Sequence, residues 1–185
     1  GPPFFLYRWT PFLRRGILMK RLFFINGTMG VGKTATGTAL LRLLPKCVFL
    51  DGDWCWKMHP FVVNDETKAM VEENISYLLA NFLKCSAYEN VVFCWVMHEE
   101  DILHRILSRL SLENVGLYKF SLVCTEQALL ERLSKDIDNG FRTEDVIPRS
   151  LSRLGLYVSM DTIKIDVTNI DPKQAAAEIL AHVWN

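Results

Sequence analysis

Gly27-Thr28-Met29-Gly30-Val31-Gly32-Lys33-Thr34 sets a lysine and a threonine behind three glycines in the spacing GxxxxGK[ST]. Glycines in such a run let successive backbone N–H groups turn inward, and a cradle of N–H groups suits phosphate oxygens. A helix opening near Lys33 would add the positive end of its dipole. In that cradle Lys33 would reach the β- and γ-phosphates of a nucleotide, and the Thr34 hydroxyl would hold Mg²⁺. The spacing points to ATP and Mg²⁺, against the plainer alternative of a glycine-rich turn joining strand to helix. It names no reaction, because switches, motors and kinases share such a loop.

The second stretch is Phe49-Leu50-Asp51-Gly52-Asp53, two carboxylates just past a short apolar run. A carboxylate at that place can organise water around Mg²⁺, or accept the proton of a hydroxyl that attacks phosphorus. Asp-Gly-Asp is also a common turn sequence. Its position shortly after a phosphate loop favours the chemical role.

The elements that must hold these residues alternate between short apolar runs and helical stripes. Residues 21–26 read as a buried strand, and 33–44 as a helix closed by Pro45. Residues 47–50, 91–96, 117–123 and 162–167 read as further strands. Helices are expected over 66–87, around 102–110, over 126–138, over a basic segment at 142–157, and over 172–183 behind Asp171 and Pro172. Strands alternating with helices predict an α/β fold whose mostly parallel sheet is covered on both faces. Ligands in such sheets bind beyond the carboxyl ends of the strands, where both stretches fall.

A chain of 185 residues, half of them hydrophobic, is long enough for one compact domain. That domain is expected at residues 19–185. Residues 1–18 read as an N-terminal extension, either cloning-derived or an upstream arm, since Pro11 and the arginines at 8, 14 and 15 break its apolar run. A basic, aromatic arm that docks on a membrane or a partner is the rival expectation. Net charge is zero, so neither a nucleic acid nor a membrane is expected as a partner, although no Asp or Glu precedes Asp51. The five cysteines form no CxxC pair and read as reduced thiols of a cytoplasmic protein. The sequence sets no oligomeric state.

The phosphate loop, the FLDGD run, His59-Pro60 and Asn64-Asp65 together resemble the small P-loop kinases that include gluconate kinase, with shikimate kinase and adenylylsulfate kinase as more distant relatives. The resemblance implies a three-layer fold with a five-stranded parallel sheet in the order 2-3-1-4-5 and a small mobile lid. It implies transfer of the γ-phosphate of Mg-ATP to a hydroxyl of a small molecule. Asp53 would be the base at that hydroxyl, Asp51 would sit in the outer shell of the Mg²⁺, and Arg132 would lie against the adenine. Arg142, Arg149 and Arg153 fall where the lid is expected, and a planar guanidinium suits phosphoryl oxygens. They read equally as solvated charges beside Glu144 and Asp145.

Departures from that family pattern bear on the acceptor. Trp54, Cys55, Trp56, Lys57 and Met58 fill the loop after the acidic turn with large apolar groups, and Trp95 and His98 follow the third strand without an acidic residue. A pocket of Trp54, Trp56, Trp95 and Phe61 would suit a nucleoside base or an antibiotic better than an open-chain sugar acid, and the same four would also suit a core. His59 and His98 are either substrate ligands or incidental. A regulatory nucleotide switch and a nucleic-acid end kinase remain the alternatives.

Overall fold

The computed structural model describes residues 13–14 and 16–184, and what is expected of residues 1–12 and 15 lies outside them. β1 (Lys20–Asn26) is the centre of a five-stranded sheet. On one side lie β3 (Asn90–Cys94) and then β2 (Cys47–Asp51); on the other lie β4 (Val115–Val123) and then β5 (Ile163–Asp166). All four pairings are parallel, so the order is 2-3-1-4-5, as the resemblance implies.

A central parallel strand is covered on both faces, which is why β1 is apolar at every interior position. Leu22 and Phe24 point to one face and join Val71, Ile75 and Leu79 of α2 (Asp65–Lys84) and Leu103 of α3 (Glu100–Leu107). Phe23 and Ile25 point to the other and join Leu40 of α1 (Lys33–Leu43) and Ile179 of α6 (Pro172–Trp184). A smaller cluster of Leu129, Leu133, Val146 and Leu154 binds α4 (Glu126–Asp138) to α5 (Val146–Leu154), with Met29 of the phosphate loop against it.

Three boundaries depart from expectation, each with a local cause. The third strand ends at Cys94, short of residue 96, because the Asn26 side chain takes both the N–H and the C=O of Met97. The basic segment at 142–157 is not one helix. α5 begins at Val146 after a turn in which the carbonyl of Thr143 accepts from Val146 N, and it tightens into a 3₁₀ turn over Gly155–Ser159. α2 stops at Lys84, where Cys85 N is shared between the carbonyls of Asn81 and Phe82.

Two short strands, Leu13–Arg14 and Ile17–Leu18, form an antiparallel hairpin apart from the main sheet. Met19 is the first buried residue after it. Among the described residues no helix is long and apolar enough to cross a membrane.

Candidate active site

Between the end of β1 and the start of α1 the chain must turn at the carboxyl edge of the sheet, and the glycines allow it. Gly30 has φ +84°, and a Cβ there would meet Leu133 Cδ2 at 2.4 Å, so α4 packs directly on the loop. α1 starts behind Gly32 with no side-chain cap and no acidic residue in its first turn. Its first N–H groups are thus left for an anion. α2, by contrast, closes its own start with the reciprocal pair Asn64 and Thr67.

Lys33 is buried, and its Nζ donates to the Thr28 carbonyl at 2.9 Å. Burial pulls its pKa down to about 8, against the raising effects of Cys94, Asp53 and Asp51. A desolvated ammonium facing a ring of N–H donors gains from an anion placed among them.

The acidic turn meets this loop from β2, the next strand but one in the sheet. Asp51 Oδ2 accepts from the Thr34 hydroxyl at 2.5 Å, and Asp51 Oδ1 accepts from Asp53 N at 2.9 Å. The buried Cys94 thiol, its pKa raised by burial first, also hydrogen-bonds the Asp51 carboxylate. A hydroxyl and a carboxylate so joined are hard oxygen donors of the kind Mg²⁺ takes, alongside phosphates and waters. Among the described residues there is no cluster of three or more His, Cys, Asp or Glu that could hold a metal.

Asp53 opens the 3₁₀ turn Gly52–Trp56. Asp53 reaches solvent, yet the protein packed around it raises its pKa by partial desolvation first and by Asp51 next, against Lys33, Arg142 and Trp95. Trp95 packs closely on the turn, since a Cβ at Gly52 would come within 2.4 Å of the indole, and it lies near enough to Asp53 to act on its carboxylate.

A cleft of about 640 Å³ gathers the phosphate loop, Asp53, Arg132 and Arg142 along one surface. Arg132 reaches the Val167 carbonyl through Nη2, while its buried Nη1 has no protein partner. Arg142 is held by Asp136 at 3.1 Å. Val167, Ile170 and Pro172, on the turn from β5 into α6, line the cleft on the side where Arg132 bonds the Val167 carbonyl. An apolar ledge beside a guanidinium with a free donor suits a purine base.

Other expected residues lie elsewhere. Trp54, His59, Trp95, Arg149 and Arg153 do not line this cleft. Trp54 is 49% exposed and sets its edge on Phe49 at 5.3 Å, while Trp56 pairs with Phe61 at 5.8 Å. Trp54 and Trp56 thus take different aromatic partners, while Trp56 and Trp95 pack against the same apolar cluster. His59 and Arg149 are exposed. Arg153 lies close enough to His98 and Tyr157 for its charge to act on both; burial is the larger influence, lowering the His98 pKa and raising that of Tyr157.

Some contributors are absent from the sequence analysis. Asn26 is fully buried, and its Oδ1 accepts from Gly27 N at 2.9 Å and Met97 N at 2.8 Å while Nδ2 donates to the Met97 carbonyl at 2.7 Å. It ties the first residue of the phosphate loop to the segment after β3. A buried asparagine closing an apolar strand was the available signal. Ile170 and Pro172 carried only the signal of a helix start, and Ser150 none.

The parallel sheet in the order 2-3-1-4-5, the uncapped helix behind a glycine loop and the buried lysine define a P-loop nucleotide-binding fold of the small-kinase type. Residues 24–146 match the AAA domain family, and the chain belongs to that family. A search of curated proteins finds no match. Solved structures resemble the chain over most of its length. The tunicamycin resistance protein of Deinococcus radiodurans has a TM-score of 0.61 at 21% identity, covering 89% of this chain and 96% of its own. A gluconokinase from Sinorhizobium meliloti 1021 has a TM-score of 0.62 at 18% identity, covering 88% and 90%. The Mycobacterium tuberculosis APS kinase in complex with AMPPNP and APS has a TM-score of 0.62 at 12% identity, covering 90% and 99%. At these identities the likeness is one of fold.

Proposed function

We propose that the chain binds Mg-ATP in this cleft and transfers the γ-phosphate to a hydroxyl of a small molecule. The observation that carries the proposal is the presence of Asp53, a carboxylate of raised pKa, in the same cleft as Lys33, Arg132 and Arg142. A nucleotide switch needs the cradle and the metal side; a kinase also needs a base facing the phosphate. The gluconokinase and APS kinase folds support the same conclusion.

In this mechanism Lys33 exchanges the Thr28 carbonyl for phosphate oxygens, and Arg142 adds charge from the lid side. Thr34, braced by Asp51, would hold Mg²⁺, which neutralises phosphate charge when bound. Asp53 orients the acceptor hydroxyl and takes its proton, while Arg132 faces the base of the nucleotide. Residues 19–185 form the catalytic unit. The acceptor enters beside Trp95, and a nucleoside, a sugar acid or an antibiotic is the expected class.

The test is ADP release from Mg-ATP with a panel of nucleosides, sugar acids and antibiotics, with mass spectrometry of each acceptor. Release that depends on one acceptor, together with a phosphorylated product, is expected. Slow release at the same rate with every compound would identify a switch instead.

A further inference from the structure

We infer that Ser150, on α5, is a positioning residue that holds the phosphate loop in its anion-binding shape. The inference rests on residues 27–34 being the ATP cradle and adds a residue from outside it.

Two hydrogen bonds cross between α5 and the loop in opposite directions. The Thr28 hydroxyl donates to the Ser150 carbonyl at 2.9 Å, and the Ser150 hydroxyl donates to the Met29 carbonyl at 2.9 Å. Thr28 and Ser150 are both fully buried, so the Thr28–Ser150 bond is shielded from water, and the Ser150–Met29 bond is partly so. The pair spans more than 120 residues of chain, and it locks two successive residues of the loop to one residue of the helix.

The geometry of an anion cradle explains why this matters. If successive N–H groups face the phosphate, the carbonyls of the same peptides face away, and each buried one needs a donor. The Thr28 carbonyl takes Lys33 Nζ at 2.9 Å and Val31 N at 3.4 Å. The Met29 carbonyl takes Ser150. The peptide it belongs to ends in Gly30, whose φ of +84° places it where only glycine moves freely. A rotation of the Met29–Gly30 peptide would exchange its N–H for its carbonyl on the cradle side, setting a negative dipole end toward phosphate. The Ser150 hydroxyl opposes that rotation.

The same bond is not what keeps α5 in place. Val146 and Leu154 fix the helix against Leu129 and Leu133, and these contacts remain when the hydroxyl is removed. Loss of the Ser150 hydroxyl therefore falls on the loop.

The experiment titrates Mg-ATP into the full chain by calorimetry, for the parent and for Ser150→Ala, beside steady-state kinetics and urea unfolding. Ser150→Ala is expected to weaken ATP binding about tenfold, the size of a buried acceptor left unsatisfied. KM for ATP should rise by the same factor, with kcat at saturating ATP within about twofold of the parent. Parent-like ATP affinity in Ser150→Ala overturns the inference while leaving the ATP site standing, and so does a loss of stability or kcat with unchanged affinity. If Ser150→Ala fails to fold, Thr28→Val breaks the reciprocal bond; weakened ATP binding supports the inference and parent-like binding overturns it. A parent chain that takes up no ATP overturns both the cradle and the inference.

Discussion

Two loops leave β1 and β2, strands with β3 between them, at the same edge of the sheet, and they are finished in opposite ways. Residues 27–32 are tied down from behind by Asn26, Ser150 and Leu133, yet their helix starts uncapped. Residues 52–64 close their own helix with Asn64 and Thr67 and leave Phe61, Val62 and Val63 exposed. One loop is tied down and leaves the start of its helix uncapped; the other caps its helix and exposes apolar surface. A loop that binds a constant group, triphosphate, gains from being preorganised, whereas a loop beside a variable acceptor gains from adaptable apolar contact.

The largest expected effect lies on the rigid side. Lys33→Ala should cut phosphoryl transfer on the order of a thousandfold, as for loss of a preorganised charge at the transferring group. Its stability should not suffer. A lysine whose folded pKa, about 8, lies below its ordinary 10.5 costs stability while charged, fully below about pH 8, and the cost is relieved as pH rises toward 10.5. The urea midpoint of the nucleotide-free parent should therefore gain on that of Lys33→Ala between pH 8 and 10. A variant with full turnover breaks the assignment of the cradle.

The next effect falls where the two loops meet. Asp53→Asn keeps size and reach but takes no proton, so ATP should still bind while turnover drops on the order of a hundredfold. Asp51→Asn should instead change the Mg²⁺ dependence, because its carboxylate braces Thr34. In the parent the acid limb of kcat/KM should lie above the usual carboxylate range, since the Asp53 pKa is raised. Parent rates and parent Mg²⁺ response in both variants would separate the acidic turn from catalysis.

The fold was legible because each strand and helix carries its own period: the buried run at 21–26, the stripes of α2 and α3, and the Asp171-Pro172 start all act locally. The phosphate loop was legible because its spacing is its mechanism. What stayed hidden depends on pairs distant in sequence. Nothing near Ser150 marks it as a partner of Met29, and nothing in the order Trp54, Cys55, Trp56 shows that one indole turns to Phe49 and the other to Phe61. The basic segment at 142–157 was hidden for a related reason: its apolar spacing is helical from Val146 on, but Gly140 at φ +74° and the Thr143 turn delay the start.

Trp54→Ala sharpens the comparison on the adaptable side. Its edge contact with Phe49 is half in solvent, so the cost in stability should be about 1 kcal/mol and ATP affinity should stay that of the parent. A rise in acceptor KM alone, measured once an acceptor is known, would assign the exposed indole to recognition. No change in that KM would leave it a packing residue.

The smallest effect is expected outside both loops. If the cleft is complete within residues 19–185, a chain beginning at Met19 should match the longer one in melting temperature and turnover. The described part of the extension supports this: Leu13, Ile17 and Leu18 are exposed, and their hairpin pairs with itself and with no strand of the main sheet. Met19 is buried and Lys20 N already donates to the Asn114 carbonyl, so the domain's own hydrogen bonding starts there. Among the described residues, cutting before Met19 removes exposed apolar side chains and no ladder bond of the sheet, a change that costs little. A fall in melting temperature would show that residues 1–18 cover part of the domain. A fall in turnover at an unchanged melting temperature would bring the extension to the cleft, and the contrast between the two loops would then need a third element.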